Sequence, residues 1–130
     1  MKKVHVVAGI VQVENQFLCV QRGPNKYSYI HEKWEFPGGK LEEGESAETA
    51  LVRELKEELS LNVHSLRYLL TVHHEYPDFI IDMDTYLCKS DSPLCVLTEH
   101  IEAKWLRPDQ MDALDWAAAD LPIVEALKNV

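Results

Sequence analysis

The stretch that decides the fold runs from Gly38 to Leu61 and reads GGKLEEGESAETALVRELKEELSL. Ser46 is a good N-cap residue, and Glu48 follows in the first turn, where the helix dipole favours an acidic side chain. The segment that follows Ser46 has high helix propensity, and apolar residues recur in it every four positions, which is typical of an amphipathic helix. These residues are Ala47, Leu51, Leu55 and Leu59. The pattern predicts a helix over Ala47–Leu59.

Three glutamates of this helix, Glu54, Glu57 and Glu58, have spacings that project their side chains toward one neighbourhood. Like charges at such spacings cost a helix roughly 0.2–0.5 kcal/mol per pair. A hard divalent cation would turn this repulsion into affinity, because Mg²⁺ is bound by a few carboxylates together with waters and phosphate oxygens. For three glutamates taken alone, a solvated helix face is the commoner explanation.

The residues around the glutamates favour the metal site. From Gly39 to Leu61 the sequence reads G-x5-E-x7-R-E-L-x-E-E-x-S-L. This resembles the Nudix box, which has a glycine where this chain has Ser60 and matches at every other position. That glycine helps the chain to leave the helix, a role that Ser60 or Asn62 would fill at modest strain. On these residues the chain is identified as a member of the Nudix hydrolases.

The resemblance implies an α/β fold, the Nudix-type α/β/α sandwich with a central mixed β-sheet, and a role for each box residue. Arg53 would orient one of the glutamates through a charge-assisted hydrogen bond, and Glu45 would support the loop and helix. The general base would be Glu54, with Glu99 from a later loop as the alternative. The cofactor would be Mg²⁺, with Mn²⁺ as a substitute. The implied metal ligands are the backbone carbonyl of Gly38 and the carboxylates of Glu54, Glu57, Glu58 and Glu99.

Segments outside the box narrow the resemblance to the MutT-like branch, whose members act on oxidised-purine or cytidine triphosphates. The similar segments are Gln21-Arg22 and Trp34–Lys40. By this likeness Arg22 and Lys40 would bind phosphates, with a surface cation as the alternative role of each. By the same likeness Tyr76 would lie against the base and Asp120 would recognise it. The type member of the branch has an amide at the last position, whereas an ionised Asp120 would suit an exocyclic amino group such as that of cytosine. Capping of the last helix is the alternative role for Asp120.

The function implied is cleavage of a nucleoside triphosphate to a monophosphate and pyrophosphate, after attack of a metal-activated water on one phosphorus. Sanitation of the nucleotide pool, and thereby DNA repair, would follow. Two alternatives stay open: a pyrophosphatase for nucleoside diphosphates linked to a sugar or nucleotide, such as ADP-ribose, and a non-catalytic Nudix-fold binding module. The preferred base, the sugar and the phosphorus attacked are left open by the sequence.

Length, charge and cysteine content indicate the number of domains and disfavour several kinds of partner. The 130 residues suit a single domain over 1–130, and a formal net charge of −9 disfavours a polynucleotide partner. No segment is long and apolar enough to span a membrane, so no membrane partner is expected. The three cysteines are odd in number and are interpreted as reduced thiols of a cytoplasmic protein, Cys19, Cys88 and Cys95. The chain is expected to be a monomer or a homodimer.

The remaining elements are predicted from β-branched runs and turn residues. Pro37-Gly38-Gly39 is interpreted as a break between elements, and Ala118–Leu127 as a closing helix. Strands precede few and separated helices, which favours a mixed α/β arrangement. The predicted strands are Val4–Val13, Phe17–Gln21, Trp34–Phe36, Leu61–Val72, Phe79–Cys88 and Glu102–Leu106.

Overall fold

Residues 1–129, which the computed structural model describes, form seven β-strands and two α-helices. Two 3₁₀ segments, Pro108–Ala113 and Ala118–Asp120, precede the second helix. In chain order the elements are β1 (Lys2–Val13), β2 (Gln16–Arg22), β3 (Trp34–Glu35), β4 (Gly38–Lys40), α1 (Ala47–Leu59), β5 (Val63–Glu75), β6 (Phe79–Ser90), β7 (His100–Leu106) and α2 (Leu121–Leu127).

The strands join in one mixed sheet with the order β3-β2-β1-β6-β5. Strand β1 runs parallel to β6 and shares its other edge between β4 and β2, while β7 pairs with β2. Neighbouring residues of β1 point to opposite faces of the sheet, so that Val11 packs under α1 and Ile10 packs on the side of α2. Helices therefore cover both faces, which confirms the α/β/α sandwich.

The helix predicted over Ala47–Leu59 is confirmed with these bounds, including the N-cap of Ser46, whose Oγ accepts a hydrogen bond from the backbone N–H of Thr49. The predicted break at Pro37-Gly38-Gly39 is wrong in part, because Gly38 and the two residues after it form β4 and pair with β1. A Cβ on Gly38 would collide with the backbone carbonyl of Val7. Glycine here permits close strand pairing as well as a turn.

The closing helix is shorter than predicted. Its first three residues, Ala118–Asp120, form a 3₁₀ turn, and α2 begins at Leu121. The proline that follows Leu121 occupies the first turn of α2, where a missing N–H costs no hydrogen bond.

The cysteine side chains are free, with Cys19 and Cys88 buried and Cys95 half-buried. Burial raises the pKa of the Cys19 and Cys88 thiols to about 12, so both stay protonated at neutral pH. Within residues 1–129, no helix has the length and apolar character that a membrane crossing requires.

The C-cap of helix α1 is Ser60, the position at which the Nudix box has a glycine. Ser60 adopts a left-handed conformation with φ of 56° and donates its backbone N–H to the carbonyl of Lys56 at 3.1 Å. Leu61 donates its N–H to the carbonyl of Leu55 at 3.2 Å. Ser60 therefore fills the role of the glycine, as one of the two expected residues, whereas the side chain of Asn62 accepts a hydrogen bond from Lys56.

We expect Ser60→Gly to raise the free energy of unfolding by about 0.5–1 kcal/mol, because glycine adopts positive φ without a clash of its Cβ. Part of the gain is lost to the greater freedom of glycine in the unfolded chain. Urea denaturation of both proteins measures the change, with Ser60→Ala as the control that retains the strain. A Ser60→Gly protein no more stable than Ser60→Ala would contradict this account of the helix end.

Candidate active site

A cavity of about 720 Å³ opens beside the start of β1 and the segment that joins β3 to β4. It brings together residues from both ends of the chain, among them the four predicted substrate contacts and all but one of the predicted metal ligands. Arg53 and Glu57 are the two predicted site residues that do not line the cavity. Those that do are Arg22, Gly38, Lys40, Glu54, Glu58, Tyr76, Glu99 and Asp120.

Three carboxyl groups crowd one end of this cavity. Glu58 lies beside Glu54, one helical turn earlier, and beside Glu99, which comes directly before β7. Burial raises the pKa of Glu58 to about 8, and the charges of the two neighbouring carboxylates add to the shift. Carboxylates this close repel one another, and a hard divalent cation would remove that repulsion. The carboxylate end therefore has the donor chemistry that a Mg²⁺ site requires.

The backbone of β4 leaves room for one of these carboxylates. A Cβ on Gly39 would collide with the carboxylate of Glu54. The side chain of Glu54 thus lies directly against the glycine backbone, in the space that any larger residue would fill. In residues 1–129, no three His, Cys, Asp or Glu side chains have the arrangement of a formed metal centre. The complete ligand set therefore stays a prediction.

Arg53 connects the helix to the loop before it and to β4. Its Nε and Nη2 donate to the two carboxylate oxygens of Glu45 at 2.8 and 2.9 Å. Its Nη1 donates to Glu54 at 3.1 Å and to Glu57 at 3.2 Å, and Nη2 also reaches the carbonyl of Lys40 at 3.2 Å. These bonds fix the orientation of Glu54, which is the geometry that the predicted role of Arg53 requires.

Glu57 lies on the rim rather than in the cavity. Its side chain is 59% exposed and is held by Arg53. It is not among the carboxyl groups that crowd around Glu58. Its place among the metal ligands stays a prediction.

Asp120 closes the other end of the cavity. It is 5% exposed, and its Oδ1 accepts a hydrogen bond from the backbone N–H of Phe36 at 3.0 Å. Its side chain makes no bond to the N–H groups of α2, so the alternative role as a helix cap is wrong. Burial raises the pKa of this carboxyl well above its usual range, and Glu35 adds to the shift. The structure therefore favours the neutral acid over the ionised form assumed from the sequence.

Aromatic and apolar side chains form the wall beside Asp120. Tyr76 is buried, accepts a hydrogen bond from the N–H of Ala119 at 2.9 Å, and stacks on Tyr29 with ring centroids 5.0 Å apart. Three residues of β6 continue this wall and were not predicted as site residues. The alternation along β6 could have revealed them, since they share one face of the strand: Phe79, Ile81 and Met83.

Comparison with known proteins identifies the family of the chain. The chain matches the model of the NUDIX domain over residues 2–127. Over 86 residues it is 41% identical to an 8-oxo-dGTP diphosphatase of Proteus vulgaris, an alignment that covers 66% of this chain and 76% of that protein. Over 126 residues it is 33% identical to the CTP pyrophosphohydrolase of Escherichia coli (strain K12), covering 97% and 92% of the two chains. The solution structure of the E. coli ORF135 protein superimposes with a TM-score of 0.81 at 32% identity, covering 99% of this chain and 91% of that one.

We expect the Arg53–Glu45 ion pair to make stability depend on pH. The guanidinium lowers the pKa of Glu45 from an ordinary 4.5 to about 2, so the pair stabilises the fold above pH 4.5 and loses this effect as the pH falls toward 2. Glu45→Gln should therefore lower the free energy of unfolding at pH 7, and its difference from the parent protein should shrink between about pH 5 and pH 2.

Urea denaturation between pH 7 and pH 2 measures the difference in the free energy of unfolding between Glu45→Gln and the parent protein. Glu43→Gln is the matched control, because Glu43 is an exposed residue of the same loop and its variant should follow the parent protein at every pH. A difference between Glu45→Gln and the parent protein that does not change with pH would show that the ion pair is not its cause.

Proposed function

The chain belongs to the Nudix hydrolase family, and from that membership we propose that it cleaves nucleoside triphosphates to a nucleoside monophosphate and pyrophosphate. The observation that carries the proposal is a single cavity with the crowded carboxylates of the box helix at one end and a buried acid with an aromatic wall at the other. One end suits a metal-bound phosphate chain and the other suits a base.

Nudix hydrolases act with divalent metals, and we propose Mg²⁺, replaceable by Mn²⁺, as the ion of this enzyme. When bound, such an ion neutralises charge on the phosphate oxygens and lowers the pKa of the attacking water. Either Glu54 or Glu99 accepts the proton of that water, and Arg53 keeps Glu54 in place through its Nη1. The proposed ligands are the carbonyl of Gly38 and the carboxylates of Glu54, Glu57, Glu58 and Glu99.

Two of the four lysine and arginine side chains that line the cavity are predicted to bind a polyphosphate. Arg22 and Lys40 both line it, and the chain as a whole carries a formal charge of −9. A triphosphate approaching such a protein meets repulsion unless positive charge is supplied at the site itself. Arg22 and Lys40 therefore bind phosphate oxygens in this proposal, and Arg22, with its planar fork of donors, is suited to two oxygens at once.

The end of the cavity around Asp120, the base end, suits a nucleobase that presents a hydrogen-bond donor beside a hydrogen-bond acceptor. A neutral Asp120 offers an O–H donor together with acceptor oxygens. Cytosine presents an amino donor next to a ring nitrogen acceptor, and 8-oxoguanine presents N7–H next to the O6 acceptor, so either base fits the acid. The two relatives named above, an 8-oxo-dGTP diphosphatase and a CTP pyrophosphohydrolase, support these two bases as the first candidates.

We further propose that the enzyme works in the cytoplasm. Its cysteines are free, as is usual for proteins of a reducing compartment, and nucleoside triphosphates are abundant there. Hydrolysis of an oxidised nucleotide would remove it before a polymerase uses it. This would make the enzyme part of nucleotide-pool sanitation.

We expect a panel of 8-oxo-dGTP, dGTP, CTP and dCTP to identify at least one triphosphate that yields pyrophosphate with Mg²⁺. ADP-ribose, the test of the alternative linked-diphosphate activity, should be hydrolysed at least about 10-fold less efficiently. Pyrophosphate release and kcat/KM are the measurements. Preferred hydrolysis of ADP-ribose would contradict the proposal.

The role of Asp120 is tested on the same panel. Asp120→Asn retains a donor and an acceptor and should keep the base preference, whereas Asp120→Leu should reduce the ratio of kcat/KM between preferred and disfavoured bases by about 10-fold or more. Equal ratios in the Asn and Leu variants would show that Asp120 does not read the base.

The metal site is tested by replacing its glutamates one at a time with glutamine, which removes one negative charge. Glu54→Gln, Glu57→Gln and Glu58→Gln should each lower kcat by about 100-fold or more and weaken Mn²⁺ binding, because each removes an anionic ligand. Glu48→Gln is the control, since Glu48 lies in the first turn of the same helix and outside the cavity. Unchanged hydrolysis by Glu57→Gln would remove this rim residue from the ligand set.

A further inference from the structure

His100 lines the cavity and has a buried ring nitrogen without a hydrogen-bond partner among the described residues. It begins β7 and has only 6% of its side chain exposed. Within residues 1–129, its Nδ1 is the single buried side-chain nitrogen or oxygen without a hydrogen-bond partner. Its Nε2 lies 3.4 Å from Oε2 of Glu35. Buried polar groups are normally satisfied, so this arrangement needs an explanation.

Glu35 joins His100 to an arginine. Oε1 of Glu35 lies 3.5 Å from Nη1 of Arg22, so that one carboxylate faces the imidazole with one oxygen and the guanidinium with the other. Arg22 and His100 are also paired across β2 and β7, at the point where a register shift follows Gln21. Such bulges turn a side chain away from the regular alternation of a strand. Three neighbouring strands thus bring the imidazole, carboxylate and guanidinium into one row.

The row lies between the two ends of the cavity. His100 follows Glu99, whose carboxylate raises the pKa of Glu58 at the carboxylate end. At the base end, the charges of Glu35 and Arg22 both act on the pKa of Asp120 and of Tyr76. A nucleotide that spans the cavity would place its sugar and the adjoining phosphate beside this row.

The position of the imidazole proton follows from burial. A buried N–H without an acceptor is rarer in proteins than a buried acceptor without a donor, so the proton belongs on Nε2, which faces Glu35. In that tautomer the Nε2–H of His100 lies on the side of Glu35, in a polar contact of 3.4 Å that falls short of hydrogen-bond geometry, while Glu35 faces Arg22 with its other oxygen. Because Nδ1 is inaccessible, Nε2 is the nitrogen of His100 that is placed to act on a neighbour, and the neighbour that it faces is Glu35.

We propose that His100 is a positioning residue which, through Glu35, holds the guanidinium of Arg22 toward the phosphate that adjoins the sugar of a bound nucleotide. The proposal rests on the proposed function only for the identity of the ligand, a nucleoside phosphate. It assigns His100 neither to metal binding nor to proton transfer.

The test compares His100→Leu, which removes the N–H, with His100→Gln, whose amide restores a donor near Nε2. Isothermal titration calorimetry with CMP and with 8-oxo-dGMP, without metal, measures the dissociation constant of a ligand whose one phosphate adjoins the sugar. His100→Leu should weaken binding of the tighter of the two by about 5- to 10-fold, and His100→Gln should restore it to within about twofold. In turnover, KM should rise by the same factor while kcat changes by less than about threefold.

Glu35→Gln interrupts the same link at a half-buried residue, and as a single variant it should also weaken monophosphate binding. His100→Leu combined with Glu35→Gln should bind no more weakly than the weaker single variant, because both changes interrupt the same link. His64→Leu, a change at an exposed histidine outside the cavity, is the control for loss of a histidine. Thermal unfolding of every variant shows whether the fold is retained.

Additive effects of the two changes, an unchanged KM in His100→Leu, or equal weakening in His100→Leu and His100→Gln would each overturn the proposal. So would a parent protein that binds neither monophosphate. A parent protein that binds a monophosphate but releases no pyrophosphate from any triphosphate would instead contradict the proposed function. In that case the comparison of variants by binding still decides the role of His100.

Discussion

Arg53 and Glu45 form the ion pair on which the arrangement of the site depends. Two donors of one guanidinium meet the two oxygens of one carboxylate. The other hydrogen bonds of Arg53 reach α1 and the carbonyl of Lys40 at the end of β4. Bidentate pairs of this kind restrict rotation as well as distance. Glu45 comes from the loop between β4 and α1, so the pair fixes how the helix sits on the strand. The crowded carboxylates lie at this same junction.

The two glycines of β4 impose the second constraint. Gly38 lies against the carbonyl of Val7 in β1, and Gly39 lies against the carboxylate of Glu54 in α1, so β4 is pressed between strand and helix. Neither position accepts a Cβ without movement of its neighbour. The ion pair and the glycines thus place one glutamate of the helix against backbone. A carboxylate held in this way is prepared to bind a cation, because the protein has already met the cost of ordering it.

Much of the carboxylate end of the site, formed by β4 and α1, could be predicted from the sequence because the residues that determine it are close together in the chain. Helix period, N-cap and glutamate spacing all lie within Gly38–Leu61, and the bounds of α1 were predicted without error. The strand β4 was missed because glycines signal a turn, whereas here their small size permits pairing with β1. Ser60 shows the converse, since Ser60 or Asn62 was expected to replace the glycine at the helix end, and the structure shows that Ser60 does so in a left-handed conformation.

The base end could be predicted only in part, because its chemistry arises from contacts between distant segments. Asp120 and Phe36 are far apart in the sequence, and the burial that favours a neutral acid appears only when the 3₁₀ turn packs on the sheet. The same holds for Arg22, whose surroundings depend on a bulge opposite β7. An acidic protein that binds an acidic ligand needs its few cavity cations in fixed positions, since screening by water weakens a mobile one. Residues that hold a cation in place can therefore affect binding as strongly as the cation itself, although no local motif marks them.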